Sequence, residues 1–194
     1  LPISSVTGTF DDNSGNDTIK LNLETNNINI STATTTDVDT IDLANDVDAT
    51  MTRAQNAKID AAAGDNTVTL SDAGAATGDA NVETYVLAAG AQTFTLGAAA
   101  QSVTADSTGD NGAIVIDTNT QTTVSGTFTS AGNDTIKLNV ERDGANISTA
   151  TTTDVDTIDL ANDVDVTMTV TQHGKLNAAA GDNTITLSDA GTIT

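Results

Sequence analysis

Carboxylates are the residues whose type and spacing point most directly to chemistry. Asp37 and Asp39 lie two residues apart in an extended segment, so both side chains face one side, and Asp42 follows closely. Ca²⁺ binds about 6–8 oxygen ligands, and backbone carbonyls can complete such a shell. We therefore predict structural Ca²⁺ sites at turns between strands. The candidate ligands are Asp17, Asp37, Asp39, Asp42, Asp65, Asp134, Asp154, Asp156, Asp159 and Asp182.

The charge balance points the same way. The chain has 27 acidic and 6 basic residues, a net charge of −21. Most carboxylates lack a cationic partner, and their mutual repulsion destabilises a compact state unless bound cations offset it. Nucleic-acid binding needs basic patches, so we expect no nucleic-acid partner.

Threonines two residues apart form a second candidate site. Strand alternation places both members of each pair on the outer face, where stacked pairs resemble the Thr ladders of ice-binding β-solenoids. Thr is also simply a good residue for an exposed strand position, and this alternative stays open. The candidate binding residues are Thr67, Thr69, Thr93, Thr95, Thr184 and Thr186.

Catalysis has little support. His173 is the only histidine, and Asn56 takes its place in the repeated sequence described below, so we expect an exposed turn residue. A glycosidase needs two opposed carboxylates in a cleft, and the abundance of Asp singles out no pair. We predict that the chain is not an enzyme.

The strands that must position these residues are clearest between Glu83 and Asp106. Three blocks begin nine residues apart, at Glu83, Gln92 and Gln101, and each has a short alternating strand followed by small residues. Tyr85 is among the residues expected to point inward, with Leu87, Phe94, Leu96, Val103 and Ala105. This step predicts a β-solenoid with two steps to each turn.

Self-similarity extends the prediction to the whole chain. Asn29–Asp48 recurs letter for letter as Asn146–Asp165, an offset of 117 residues. We predict one continuous solenoid over residues 1–194, made of two incomplete copies at about 8–124 and 126–194. A single duplication within a compact protein is the alternative.

Strands are predicted along both copies, with helical turns at Arg53–Ala57 and Thr171–Gly174. The predicted strands are Thr18–Leu23, Asn27–Ile30, Thr40–Leu43, Val47–Thr52, Ala57–Ala61, Asn66–Ser71, Glu83–Leu87, Gln92–Leu96, Gln101–Ala105, Ala113–Asp117 and Thr122–Phe128, then the early set again from Thr135. The predicted inward residues are Ile19, Leu21, Leu23, Ile41, Leu43, Val68 and Leu70, with Ile136, Leu138, Ile158, Leu160, Ile185 and Leu187.

The fold class follows from these patterns. Aromatic residues make up 2% of the chain, too few for a thick globular core, whereas a solenoid needs only a narrow apolar column. We predict an all-β, right-handed, elongated parallel β-solenoid (β-roll or β-helix). A tandem Ig-like sandwich is the rival fold, since the repeat length also suits an Ig-sized domain. Intrinsic disorder is the other alternative, and no apolar run is long enough for a membrane span.

One motif carries a resemblance to a known family. GNDTI at 15–19 and AGNDTI at 131–136 resemble the second half of the G-G-x-G-x-D-x-U-x repeat of RTX proteins, through Gly15, Asp17 and Ile19 and then Gly132, Asp134 and Ile136. The resemblance implies type I secretion and folding on extracellular Ca²⁺ into a parallel β-roll. The wider texture of the chain resembles repetitive bacterial surface proteins and adhesins.

The expected function is mechanical. We expect a structural repeat segment of a secreted cell-surface or extracellular-matrix protein, such as an adhesin, a surface layer or a fibre, stabilised by Ca²⁺. Its expected partners are neighbouring repeats or copies of itself, and surface glycans in the alternative of an ice- or carbohydrate-binding module. Each coil rests on its neighbours, so the end coils are exposed.

Overall fold

Alternating apolar and polar residues form short strands throughout the chain, in a computed structural model that describes residues 4–11, 17–105, 111–130 and 132–193. Two helices, α1 (Arg53–Asn56) and α2 (Val170–His173), interrupt the strands. The strands are β1 (Lys20–Leu23), β2 (Ile28–Asn29), β3 (Thr40–Leu43), β4 (Ala49–Met51), β5 (Ile59–Ala61), β6 (Thr67–Leu70), β7 (Ala75–Thr77), β8 (Thr84–Val86), β9 (Gln92–Thr95), β10 (Ser102–Ala105), β11 (Ala113–Asp117), β12 (Phe128–Ser130), β13 (Thr135–Val140), β14 (Ala145–Asn146), β15 (Val155–Leu160), β16 (Val166–Met168), β17 (Leu176–Ala178) and β18 (Ile185–Leu187).

The strands wind into an elongated parallel β-solenoid of about eight turns. Odd-numbered strands pair only with odd-numbered strands and even-numbered with even-numbered, within the described residues. All of these pairings are parallel, which rules out the Ig-like sandwich, whose sheets are antiparallel. The predicted solenoid is confirmed, and about 4.8 Å per turn gives a stack roughly 40 Å long. The right-handed winding stays a prediction.

The predicted two steps to each turn are confirmed in the central region. β8 and β10 are neighbours in one sheet, while β9 lies in the other sheet between β7 and β11. Thr84 lies opposite Ser102, which is the partner that two nine-residue steps require. Asp106, at the end of this region, lies outside the described residues.

A continuous column of apolar side chains fills the axis. Tyr85 and Phe94 are fully buried, with ring centroids 4.6 Å apart. All the residues predicted to point inward belong to the core or pack against it, with Ile19, Leu21, Ile185 and Leu187 only partly buried. Each of those four lies in the first or the last coil. They are less buried because an end coil has a neighbour on one side only.

Some element boundaries differ from those predicted. Both predicted helical turns form, and each begins with a Thr-x-x-Gln capping box. β7 was not predicted, because Ala75 and Ala76 carry no large apolar side chain. The predicted strand Thr122–Phe128 is largely wrong, since β12 covers Phe128–Ser130. No helix in the part of the chain described is long and apolar enough to cross a membrane.

The two copies share many of their contacts between coils. Ser5 bridges Asn29 just as Thr123 bridges Asn146. Asp46 and Asp163 both have a φ of 57°, the left-handed conformation that Asn and Asp tolerate at turns. The duplication is therefore structural as well as sequential.

Candidate functional site

Several predicted calcium ligands bind backbone N–H groups about one turn away. Asp39 Oδ2 accepts a hydrogen bond from the Ile19 N–H at 2.8 Å, and Asp156 Oδ2 accepts one from the Ile136 N–H at 2.8 Å. A carboxylate that accepts from a backbone N–H makes a charge-assisted hydrogen bond, which is stronger than a neutral one. These two aspartates therefore join consecutive coils.

Asp134 and Asp154 have the same kind of partner. Asp134 Oδ1 accepts from the Gly112 N–H at 2.8 Å, and Asp154 Oδ2 accepts from the Ser130 N–H at 3.2 Å. Asp134 belongs to the motif that resembles the RTX repeat, so within this chain that motif supplies a contact between coils. Gly15 and Asn16 of its first occurrence, and Ala131 of its second, lie outside the described residues.

Asp65 and Asp182 contribute their backbone to the stack. The Asp65 N–H donates to Asp46 Oδ1 at 3.0 Å, and the Asp182 N–H donates to Asp163 Oδ1 at 2.9 Å. Asp65 and Asp182 are themselves exposed. The accepting carboxylates at 46 and 163 were not among the predicted site residues.

Asp42 and Asp159 lie on the outer surface of odd-numbered strands and form ion pairs. Asp42 lies 2.5 Å from Lys20 Nζ, and Asp159 lies 3.0 Å from Lys137 Nζ. A hydrogen bond from Asn177, together with the Lys137 ammonium, lowers the pKa of Asp159 despite partial burial. Both carboxylates therefore have cationic partners.

The predicted calcium ligands do not converge on one point. Asp17 and Asp37 are exposed, and within the described ranges no group of three or more acidic or histidine side chains is placed to hold a metal. The closest approach to a metal site is a pair of carboxylates in register on neighbouring strands, Asp42 and Asp60. Together with Glu24 they line an open cavity of about 250 Å³. A cation there would bridge two coils.

The predicted binding threonines lie on two different sides of the solenoid. Thr67 and Thr69 point outward from β6, an even-numbered strand, whereas Thr93 and Thr95 belong to β9, an odd-numbered strand. Thr184 and Thr186 lie at and within β18, in the last coil. The six residues therefore do not form one surface.

The even-numbered strands nevertheless carry two outer columns made mostly of hydroxyl side chains, which we call the threonine face. One column runs through Thr69 in register from strand to strand, and the Thr129 and Thr104 hydroxyls in it lie 3.2 Å apart. That column is Asn29, Thr50, Thr69, Val86, Thr104 and Thr129, of which Asn29 and Val86 carry no hydroxyl. The second column is Thr67, Thr84 and Ser102, followed by Thr127, whose N–H donates to Ser102 Oγ at 3.1 Å.

Gln55 makes a clamp between coils that sequence reasoning missed. It is 2% exposed, and its Nε2 donates to the carbonyl oxygens of Ile30 at 2.8 Å and Ala33 at 3.1 Å. Its Oε1 accepts from the Thr52 N–H at 2.8 Å, so the whole carboxamide is satisfied. Gln172 repeats these contacts in the second copy.

Lys58 extends the same clamp with a positive charge. Its ammonium donates to the carbonyls of Thr35 at 2.7 Å, Thr36 at 2.9 Å and Val38 at 2.7 Å, and Lys175 has the same three distances in the second copy. A signal existed in the sequence: Thr-x-x-Gln-x-x-Lys recurs after 117 residues, and Thr-x-x-Gln marks a helix start.

A polar cluster in the first copy links three coils. The Tyr85 hydroxyl donates to Asn56 Oδ1 at 3.0 Å and accepts from the Asp79 N–H at 2.9 Å, while Asn56 Nδ2 donates to the Thr77 carbonyl at 2.8 Å. Burial is the main cause that raises the pKa of Tyr85, so it stays a neutral donor. His173, the counterpart of Asn56, ends α2 and is half-buried, so the prediction of an exposed turn residue is wrong.

The comparisons with known proteins find no relative. No family model, no curated protein and no solved structure matches the chain. What can be said of its function therefore comes from the solenoid and its surfaces.

Proposed function

We propose that this chain is a structural repeat module of a secreted bacterial cell-surface or extracellular-matrix protein, such as an adhesin, surface layer or fibre. The observation that carries the proposal is the close recurrence of the clamps between coils. The Gln55 contact with Ala33, at 3.1 Å, returns as the Gln172 contact with Ala150, at 3.2 Å. Lys58 and Lys175 each lie 2.7 Å from the equivalent threonine carbonyl. Such recurrence of contacts across a duplication favours a role that depends on the shape of the stack.

The surface and the core also suit a mechanical role. Stability in a solenoid is a sum of coil and nearest-neighbour contributions, so length can be varied without loss of fold. The net charge of −21 disfavours non-specific side-by-side contact between rods at low salt. Lateral self-association therefore requires cations to screen or bridge the carboxylates.

Electron microscopy of the purified native assembly tests this role. We expect straight rods of constant thickness, arranged as filaments or a lattice, with an axial spacing that matches six coils per 117-residue repeat, about 30 Å at 4.8 Å per coil. Isolated globular particles without an axial repeat would contradict the proposal.

Calcium is proposed as a structural cation of this module, and it is the resemblance to type I secreted, RTX-like surface proteins that motivates the choice. Carboxylates in register on neighbouring coils, such as Asp42 and Asp60, provide paired oxygen ligands.

We expect the melting temperature in Ca²⁺ to exceed that in a chelator at the same ionic strength by several degrees, as measured by circular dichroism. The second copy has Asn177 at the position of Asp60. Asp60→Asn should therefore be tolerated by the fold and should reduce the difference in melting temperature between Ca²⁺ and chelator. An unchanged melt in excess chelator would reject the role of calcium.

A second candidate function rests on the threonine face. The two columns of the face have one side chain per coil, about 4.8 Å apart along the axis. Most of these side chains carry a hydroxyl, and Val86 interrupts one column, so the array suits ordered water or a glycan. If it binds ice, thermal hysteresis should be measurable and Thr69→Lys, in the middle of the array, should abolish it. Thr157→Lys, on an odd-numbered strand, is the matched control and should leave hysteresis intact. Loss of thermal hysteresis in both variants would contradict ice binding by the threonine face. So would an absence of hysteresis in the parent chain.

A further inference from the structure

In the part of the chain that the structure describes, the last coil has a strand with no neighbour on one side. The equivalent strand in the first copy does have a neighbour there. β18 pairs only with β16 among the described residues, whereas its first-copy counterpart β6 pairs with both β4 and β8. Ile185 and Leu187 are only partly buried, whereas their first-copy counterparts Val68 and Leu70 are 0% and 1% exposed. We call β17, β18 and α2 the terminal edge.

Backbone groups on this edge point away from the stack. Alternate residues of a parallel strand bond to opposite neighbours. β18 is joined to β16 through the Thr184 carbonyl, which accepts from Val166, and through the Ser188 N–H, which donates to Met168 at 2.9 Å. The N–H groups of Ile185 and Leu187 therefore face the open side.

The first copy shows what fits against this edge. The sequence of 178–191 matches that of 61–74 except that Ile185 replaces Val68. In the first copy that segment is covered by β8, with Thr67 opposite Thr84, Val68 opposite Tyr85 and Thr69 opposite Val86. Two nearly identical surfaces should accept the same strand, because the contacts depend on backbone register and on the side chains that line the column.

Side chains outside the strands add specificity to this covering coil. The Asn66 N–H donates to Glu83 Oε2 at 2.8 Å, and Asn81 Nδ2 donates to the Ala61 carbonyl at 2.9 Å. Asn183 and Ala178 hold the equivalent positions on the terminal edge. The covering coil therefore needs an Asn-x-Glu pair just before its strand, in addition to alternating inward residues.

The structure assigns the terminal edge as a docking surface for a parallel polypeptide coil with the sequence of residues 78–90. The partner is thus a coil of this same repeat, with Tyr85 entering the column above Ile185. His173 occupies the position of Asn56, the residue that accepts the hydrogen bond from Tyr85 in the first copy. The inference deepens the proposed structural role and rests on it for the biological use of the surface.

Extending the chain beyond residue 194 tests the assignment. Thr192, Ile193 and Thr194 align with Ala75, Ala76 and Thr77, so a copy of residues 78–105 is added after Thr194. Tethering supplies a high effective concentration, so weak docking is still detected. We expect hydrogen exchange at the Ile185 and Leu187 amides to slow at least tenfold and the melting temperature to rise by several degrees.

The control is an extension of the same composition in which the copies of Thr84 and Tyr85 are exchanged, which turns the tyrosine outward. It should leave both amides at the rates of the parent chain. Unchanged exchange in the first extension, or equal protection in the control, would overturn the assignment. Rods seen by electron microscopy together with either of those results would leave the structural role standing and remove only the docking surface.

Discussion

Replacement of Gln55 by Glu is expected to lower the melting temperature by roughly 6–12 °C. The Gln55 amide donates to the Ile30 and Ala33 carbonyls from a position that is 2% exposed. A carboxylate cannot donate, so two buried carbonyls lose their partner and face a negative charge instead. Leaving buried groups unpaired beside a charge costs about 3 kcal/mol or more. For a chain of this size that corresponds to about 2–4 °C per kcal/mol.

Thermal unfolding followed by circular dichroism at neutral pH provides the measurement. Gln172→Glu should give a shift of the same sign, because Gln172 donates to Ile147 at 2.8 Å and Ala150 at 3.2 Å. Gln121→Glu adds the same charge at a half-buried turn position outside both clamps, and it should shift the melt by no more than about 1–2 °C. Equal shifts for Gln55→Glu and Gln121→Glu would mean that the clamp contributes nothing beyond net charge.

Local alternation was enough to predict the fold and most of the inward residues. A side chain in a strand alternates between faces with a period of two, so Phe94 and Leu96 must share a face whatever the neighbouring coil does. The start of β12 escaped this reasoning. Residues 118–127 lengthen their coil, so the partner of Val103 is Phe128, which lies well beyond two nine-residue steps.

The division of the threonines between two sides shows where sequence reasoning ended. With two strands to a turn, residues an odd number of strands apart lie on opposite sides. Thr67 in β6 and Thr93 in β9 are three strands apart. Counting by nine-residue steps fails for Thr67 and Thr184, which are an odd number of such steps apart and yet both lie at even-numbered strands. Coils differ in length, since the step from Thr67 to its partner Thr84 is shorter than that from Val103 to Phe128. Errors in such counting therefore accumulate along the chain.

The sequence predicts that the carboxylates lie at turns between strands. Asp42 and Asp159 instead lie within β3 and β15, and the hydrogen-bond partners of the other carboxylates were missed. Asp39 and Asp156 do lie close to the start of a strand, as the sequence indicated. Each accepts from the backbone N–H of a residue 20 positions away, and such a contact depends on which residues the winding brings together. A sequence of this composition therefore reveals which groups carry charge without revealing what each one faces.

The second large effect is expected for Phe94→Ala. Phe94 is fully buried, packs on Tyr85 with ring centroids 4.6 Å apart, and lies in register between Ala76 and Ile116. Removing a buried phenylalanine costs about 3–5 kcal/mol through lost burial and the cavity that remains. The corresponding fall in melting temperature is roughly 6–20 °C.

A solenoid gives this substitution a particular signature, because each coil is held only by its neighbours. The cavity weakens the contacts of β9 with β7 and β11, in the middle of the stack, so limited proteolysis of Phe94→Ala should cut the chain near β9 before either end is degraded. Thr93→Ala changes the adjacent outward residue and should shift the melt by less than about 2 °C, within the usual range for surface substitutions. Cleavage that begins at the termini in Phe94→Ala, as in Thr93→Ala, would mean that the column unfolds as one cooperative unit instead of coil by coil.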